Sequence, residues 1–111
     1  MRDGEQRPCA VVTGAGGGLG GAVVEALRTD WDVVALSRTG IPVVPGVESR
    51  CCDLTDLAGL AQAVAGLPRV DAIVHCAAVS PRFALAEADR EDWERTFAVN
   101  VFAPALLTRA L

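Results

Sequence analysis

Apolar residues along this chain fall into short continuous runs that alternate with longer stretches of helical spacing. Residues 9–12, 32–36 and 70–78 are apolar runs of the kind that form buried strands. The last run is apolar nearly throughout, which is typical of a strand covered on both faces of a parallel sheet. Residues 47–52 are less apolar and predict a weaker strand. We therefore expect four strands.

The stretches between these runs predict helices. After the first strand, apolar residues recur at i, i+4, i+7 and i+8, which indicates an amphipathic helix that ends near Asp30. These residues are Leu19, Val23, Ala26 and Leu27. A second helix is predicted to begin at Thr55 as its N-cap and to end near Gly66. Its apolar face consists of Leu57, Leu60, Ala61 and Val64.

Residues 89–111 carry a third helical stripe. The stripe consists of Trp93, Phe97, Asn100, Val101, Pro104 and Leu107. The sequence then stops at LLTRAL without a glycine or a turn, as if within a helix.

Strands that alternate with helices predict an α/β fold, a doubly wound parallel sheet of the Rossmann-like type with strand order 3-2-1-4. In this order the fourth strand would be an open edge that a fifth strand normally covers. We therefore expect an incomplete fold, through truncation, a split or shortened gene, or incomplete sequencing. A short protein that pairs this edge with another chain is the alternative.

Composition excludes several function classes. The 111 residues are 51% hydrophobic with a net charge of −4, and like charges form no block, so binding to nucleic acid or to a membrane is not expected. The apolar runs are too short to span a membrane, and no cleavable apolar segment follows the charged start, which predicts a cytoplasmic protein. The four cysteines lie in apolar runs without metal-ligand spacing, so we expect no metal site.

The turn between the first strand and the first helix, TGAGGGLG at residues 13–20, is rich in glycine. Glycines permit positive φ and close approach of a ligand, and a helix N-terminus presents unpaired N–H groups that suit a pyrophosphate. The glycine pattern by itself is weak evidence, but the flanking strand and helix are the context that a dinucleotide site requires. A flexible turn is the alternative. The predicted cofactor-binding residues are Gly14, Gly16, Gly17, Gly18, Leu19 and Gly20.

The end of the second strand predicts which dinucleotide binds. An acidic residue there bonds the 2′-hydroxyl of NAD, whereas arginine accommodates the 2′-phosphate of NADP. This chain has Ser37 and Arg38 at that place. Arg38 can form two parallel N–H bonds to a phosphate, and Ser37 removes the carboxylate that would repel it. NADP(H) is therefore favoured over NAD(H), with an ordinary surface arginine as the alternative.

Five motifs together resemble the N-terminal half of a short-chain dehydrogenase/reductase. They are TGAGGGLG at 13–20, SR at 37–38, CDL at 52–54, VHCAA at 74–78 and FAVNVFAP at 97–104. The resemblance extends from about residue 8 to residue 111. It predicts a flexible segment at residues 1–7 and an NAD(P)-binding Rossmann domain at residues 8–111, truncated at its C-terminal end.

The resemblance extends the predicted cofactor site beyond the second strand. It implies that Asp53 contacts the adenine together with Leu54, although Asp53 at the start of a helix is an equal alternative. The family usually has Asn-Asn-Ala-Gly where this chain has His75, Cys76, Ala77 and Ala78. The small residues still permit close backbone approach at 76–78. We interpret His75 as a strand-end residue hydrogen-bonded to a neighbouring loop, because no partner for catalysis can be named.

Asn100 is the candidate catalytic residue. Its amide lies on the predicted apolar stripe, so it needs polar partners. Pro104 has no N–H to give to the Asn100 carbonyl, which is therefore left free. The resemblance implies that this asparagine belongs to a catalytic tetrad and that its carbonyl holds a water in a proton relay. A merely structural kink is the alternative.

The resemblance implies an NADP(H)-dependent oxidoreductase that transfers hydride between nicotinamide and a small-molecule carbonyl or alcohol, and a homo-oligomer at full length. The family's catalytic serine, tyrosine and lysine lie beyond residue 111, and this sequence has no tyrosine and no lysine. We therefore expect the 111-residue chain alone to be inactive. A non-catalytic NAD(P)-binding or regulatory module and an extended-type sugar-nucleotide epimerase or dehydratase relative are the alternatives.

Overall fold

The computed structural model describes residues 7–67, 69–80 and 84–111. The strands are β1 (Cys9–Thr13), β2 (Asp32–Ser37), β3 (Val47–Cys51) and β4 (Ala72–His75). The α-helices are α1 (Gly18–Leu27), α2 (Leu60–Ala63), α3 (Arg90–Phe97) and α4 (Ala103–Ala110). Two 3₁₀ turns, Leu57–Gly59 and Leu85–Glu87, precede α2 and α3, and a π-helical turn, Ala98–Phe102, joins α3 to α4.

The four strands form one parallel sheet in the order β3-β2-β1-β4, which confirms the predicted fold class and strand order. Val11 of the central strand β1 lies opposite Val34 of β2 and Ile73 of β4. Both faces of β1 and β2 are covered, because α1 packs on one face and α2 and α4 pack on the other. The core is therefore centred on these two strands.

Strand β4 is shorter and more exposed than the sequence predicts. The apolar run at 70–78 predicts a strand covered on both faces, but β4 spans four residues, of which three are partly buried and the fourth, His75, is exposed. It has β1 as a neighbour on one side and is an edge of the sheet. An apolar run indicates that its residues prefer a buried environment, but it does not show which elements of the fold cover them. Residues 76–78 leave the strand and enter the loop that follows it.

The second helical segment begins differently from the prediction. Thr55 is not its N-cap, because the Thr55 N–H and hydroxyl both donate to the carboxylate of Asp53. Asp56 caps the 3₁₀ turn instead and accepts from the N–H of Gly59. The Asp56 carboxylate accepts from the N–H of Gly59, three residues ahead. This local bond favours a 3₁₀ turn at the place where the apolar spacing indicates a longer helix.

Helix α1 ends at Leu27, before the predicted end at Asp30. The guanidinium of Arg7 donates to the carbonyls of Arg28 and Trp31, just beyond the helix. Arg7 belongs to the segment expected to be flexible, and the rest of that segment, residues 1–6, lies outside the described residues. These bonds connect the start of the described chain to the end of α1.

The third predicted helix is divided by the π-helical turn. The N–H of Ala103 donates to the carbonyl of Ala98, five residues back, and Pro104 has no N–H to donate. The predicted stripe does not all face the core: Leu107 is buried, but Trp93, Phe97 and Val101 are about half exposed. A π-turn holds more residues than an α-turn and therefore rotates the faces before and after it relative to each other.

No helix within the described ranges combines the length and apolarity needed to cross a membrane.

Candidate functional site

A groove of about 450 Å³ lies at the carboxyl ends of the four strands. Ligands of open parallel sheets bind at this edge. The wall is built from the segments that follow each strand and from one face of α3 and the π-turn. It consists of Gly14, Gly17, Leu36, Ser37, Arg38, Cys52, Asp53, Leu54, Thr55, Cys76, Ala77, Ala78, Val79, Arg95 and Val99. Nine of the predicted cofactor-binding residues are among them.

Backbone packing determines the shape of the glycine turn. Gly14 has φ +64°, and a Cβ there would lie 2.8 Å from the Cα and N atoms of Ala77. A Cβ on Gly20 would lie 2.0 Å from the carbonyl oxygen of Gly14. Gly20 is buried and does not line the groove. These two glycines allow the turn to pack against α1 and against the loop after β4.

Gly16, Gly18 and Leu19 lie at the turn but outside the groove wall. A Cβ on Gly18 would meet no atom within 4 Å, and Leu19 is 69% exposed. Gly17 is the N-cap of α1, and no described side chain bonds to this helix end or places an acidic group in its first turn. The N–H groups and partial positive charge of α1 are therefore available to an anion beside the groove.

Ser37 is the clearest sign of a ligand. Its side chain is buried, and its Oγ has no hydrogen-bond partner among the residues that the structure describes. A buried hydroxyl without a partner costs free energy, so such a group indicates a bound polar atom. The exposed Arg38 follows it on the same wall. The two residues place a hydroxyl and a guanidinium at the same end of β2, which fits the 2′-phosphate predicted there.

Asp53 is held in its ionised form. Its Oδ1 accepts from the Thr55 hydroxyl at 2.7 Å and from the Thr55 N–H at 2.9 Å. These bonds, with a smaller contribution from Arg38, lower the pKa of Asp53. Asp53 lies at the start of a turn rather than of a helix. Both bonds from Thr55 go to Oδ1, so Oδ2 can accept a hydrogen bond from a ligand in the groove. Burial, and then the charge of Asp53, raise the pKa of the neighbouring Cys52, which stays a thiol.

The loop after β4 is connected to both sides of the groove. The buried Thr13 hydroxyl accepts from the N–H of Ala77 at 3.2 Å. The Asn100 amide bonds to both backbone groups of Val79: its Oδ1 accepts from the N–H and its Nδ2 donates to the carbonyl, each at 2.8 Å. The polar partner expected for Asn100 is therefore the backbone of Val79. The side chain braces the loop, and Pro104 leaves the Asn100 carbonyl without its usual helical donor.

His75 bonds to a helix, whereas the sequence interpretation placed its partner on a loop. Its Nε2 lies 3.1 Å from the Thr108 hydroxyl of α4, and that hydroxyl donates to the Pro104 carbonyl at 2.7 Å. A hydroxyl has one hydrogen, so the His75 Nε2–H must be the donor. Partial burial of the ring lowers the pKa of His75. The ring is thus used to join β4 to α4.

Several residues of the groove wall are not among those predicted from the sequence. Two of them are Thr55, which the sequence indicates only as a helix cap, and Val79, which directly follows the predicted residues 76–78. Arg95 and Val99 lie four residues apart on one helical face just before Asn100. That spacing was the available signal, but it does not show which side of the helix faces the groove.

Comparison with known proteins gives concordant results. The family model described as short chain dehydrogenase matches residues 8–111. The L-xylulose reductase of Bos taurus is 40% identical over 101 residues, which cover 85% of this chain and 41% of that protein. The NADPH carbonyl reductase 2 of Sus scrofa is 37% identical over 99 residues, which cover 83% of this chain and 41% of that protein. The chain thus spans about two fifths of the length of these relatives.

Solved structures share the same architecture. A blue fluorescent protein from a metagenomic library, solved in complex with NADPH, superposes with a TM-score of 0.78 at 26% identity. The match covers 93% of this chain and 49% of the other. The groove described above lies in the region that these proteins have in common with this chain.

Proposed function

The chain belongs to the short chain dehydrogenase family, and on this premise we propose that it binds NADP(H) in the groove as the cofactor-binding part of a reductase. The observation that carries the proposal is the buried Ser37 hydroxyl, which lacks a partner within the described chain and stands beside Arg38. Names of relatives support the choice of cofactor, since one is called an NADPH carbonyl reductase and one was solved with NADPH.

Each part of the cofactor has a proposed place. The pyrophosphate lies against the start of α1, where the N–H groups of the first helical turn have no side-chain cap. The 2′-phosphate accepts hydrogen bonds from the Ser37 hydroxyl and the Arg38 guanidinium. The adenine lies between the segment after β3, with Asp53 and Leu54, and the loop after β4 at residues 76–78. Bound nicotinamide supplies hydride chemistry, and the residues of this chain hold and orient it.

We further propose that the whole protein reduces or oxidises a small carbonyl or alcohol compound, in the cytoplasm and as a homo-oligomer. Relatives named for L-xylulose and for carbonyl compounds support this substrate class. Within it, the Asn100 carbonyl, to which Pro104 cannot donate, holds a water, while the Asn100 amide keeps the loop after β4 in place. The 111 residues contain no tyrosine and no lysine, so we expect this chain to bind cofactor without turnover.

The proposal is tested by fluorescence titration of the purified chain with NADPH and with NADH. The wild-type chain should bind NADPH more tightly. Arg38→Ala should weaken NADPH binding about tenfold to a hundredfold, as expected for a lost charge-assisted bond, and leave NADH binding nearly unchanged. Ser37→Asp should also disfavour NADPH, because a carboxylate repels the phosphate.

Arg109→Ala is the matched control, because Arg109 is exposed on α4 and does not line the groove. Its binding constants should equal those of the wild type. A wild-type chain that binds neither nucleotide, or an Arg38→Ala chain that loses both equally, contradicts the proposal.

A further inference from the structure

We propose that Arg95 covers the adenine of the bound cofactor and so contributes to binding whether or not a 2′-phosphate is present. This inference rests on the proposed function. It adds a cofactor-contacting residue from helix α3 to those that follow the strands. Its carrying observation is that an exposed helix arginine forms part of the groove wall.

The position of Arg95 follows from the helix that carries it. Arg95 precedes Val99 by four residues, so the two side chains lie on one face, and both line the groove. Val99 is buried at the inner part of this wall, whereas Arg95 is exposed at the outer part. Arg95 is therefore the solvent-exposed member of this pair on the groove wall.

Among the residues that the structure describes, the charge of Arg95 has no partner. Glu91 lies four residues before it, in the order that favours an ion pair on a helix. The neighbouring pair of the same spacing, Arg90 and Glu94, does form, at 2.6 Å. Arg95, in contrast, makes no ion pair or side-chain hydrogen bond with any residue in ranges 7–67, 69–80 and 84–111. Because Arg95 lines the groove and has no partner within these ranges, its guanidinium is available to a ligand there.

The surroundings of Arg95 favour a flat base over a phosphate. Leu54, Val79 and Val99 give this part of the wall an apolar surface that suits a purine. A guanidinium stacks on the face of such a ring. The phosphate has a separate partner, since Arg38 follows β2 and is near enough to Asp53 to lower its pKa. Arg38 therefore recognises the 2′-phosphate and Arg95 the base that NADP and NAD share.

The experiment separates these two roles with cofactor fragments. Isothermal titration calorimetry of the 111-residue chain would use adenosine 2′,5′-bisphosphate and adenosine 5′-monophosphate. Arg95→Gln should weaken both ligands by the same factor, about threefold to tenfold, because it removes one stacking contact. Arg38→Gln should weaken the bisphosphate alone. Arg95→Lys should show an intermediate loss, because it keeps the charge without the planar group.

Arg90→Gln is the matched control, since Arg90 lies on the same helix, is exposed and does not line the groove. It should bind both fragments as the wild type does, and circular dichroism should show that all variants keep their helix content. An Arg95→Gln chain with unchanged affinity, or with a loss confined to the bisphosphate, overturns the inference and leaves the proposed function intact. A wild-type chain that binds neither fragment overturns the proposed function and this inference with it.

Discussion

The two inner strands of the sheet, β1 and β2, differ from the edge strand β4 and its surroundings in how completely their residues are buried. Strands β1 and β2 are almost entirely buried. No residue of strand β4 is fully buried, and the rings of Trp93, Phe97 and Phe102 in α3 and the π-turn are about half exposed. Successive ring centroids in this aromatic row are 6.4 Å apart. The more completely buried part of the sheet beside the groove is thus on the β1–β2 side.

The difference has a simple cause. β1 and β2 each have a neighbouring strand on both sides and helices on both faces, whereas β4 has β1 as its one neighbour. At Gly14 and Gly20 the glycine turn adds backbone contacts that leave no room for a Cβ. Substitutions on the β1–β2 side should therefore have larger effects than equivalent substitutions on the β4 side.

The largest effect is expected at the glycine turn. Gly20→Ala places a Cβ 2.0 Å from the Gly14 carbonyl oxygen, and neither backbone can move without disturbing the other. The free energy of unfolding should fall by about 3 kcal/mol or more, and cofactor binding should be lost. Urea denaturation and NADPH titration measure the two effects.

Gly18→Ala is the control for that substitution. A Cβ on Gly18 meets no atom within 4 Å, and alanine is a better helix former than glycine. The variant should keep or slightly gain stability. If Gly20→Ala and Gly18→Ala were equally stable, backbone packing at the turn would not be what shapes this side of the groove.

A smaller effect is expected from a pair of substitutions that compares the two faces of the last helical segment. Leu107 is fully buried between α4 and α2, so Leu107→Ala should cost about 2 to 3 kcal/mol. Phe97 is 45% exposed, so Phe97→Ala should cost less than about 1 kcal/mol despite removing more atoms. Urea denaturation of both variants tests the ranking. A reversed order would mean that the aromatic row, not Leu107, anchors this segment.

The smallest effect concerns pH on the β4 side. The pKa of His75 is lowered from 6.5 in the folded chain, so the unfolded chain binds more protons in the window just below 6.5. The free energy of unfolding should therefore decrease as the pH falls through this window. Urea denaturation of wild type and His75→Gln at several pH values checks this. If the free energy of unfolding depended on pH in the same way in His75→Gln as in the wild type, the effect would come from other groups.

Much of the fold could be predicted from the sequence because its patterns are local. The apolar runs locate all four strands, and the strand, glycine turn and helix in succession locate the groove. The gaps come from tertiary context. The predicted strand order makes β4 an edge, but nothing in the run at 70–78 shows that its faces are only partly covered. Nothing at Thr55 shows that its hydroxyl bonds to Asp53 rather than to a helix.

The site shows the same limit. Ser37 and Arg38 could be chosen from sequence because they lie at the end of a strand, where a parallel sheet places its ligands. Asp53 is indicated by the family resemblance. Arg95 could not, because a charged residue on an amphipathic helix ordinarily faces solvent. The π-turn compounds the difficulty, since it changes which helical face meets the core between Phe97 and Leu107. Such rotations depend on backbone hydrogen bonds that side-chain spacing does not report.

A crystal structure of the chain with NADP⁺ tests the central claim most directly. We predict the 2′-phosphate within about 3 Å of both the Ser37 hydroxyl and the Arg38 guanidinium. The diphosphate should rest on the N–H groups at the start of α1. A cofactor bound elsewhere, or a 2′-phosphate turned to solvent while the Ser37 Oγ still lacks a partner, would contradict the account.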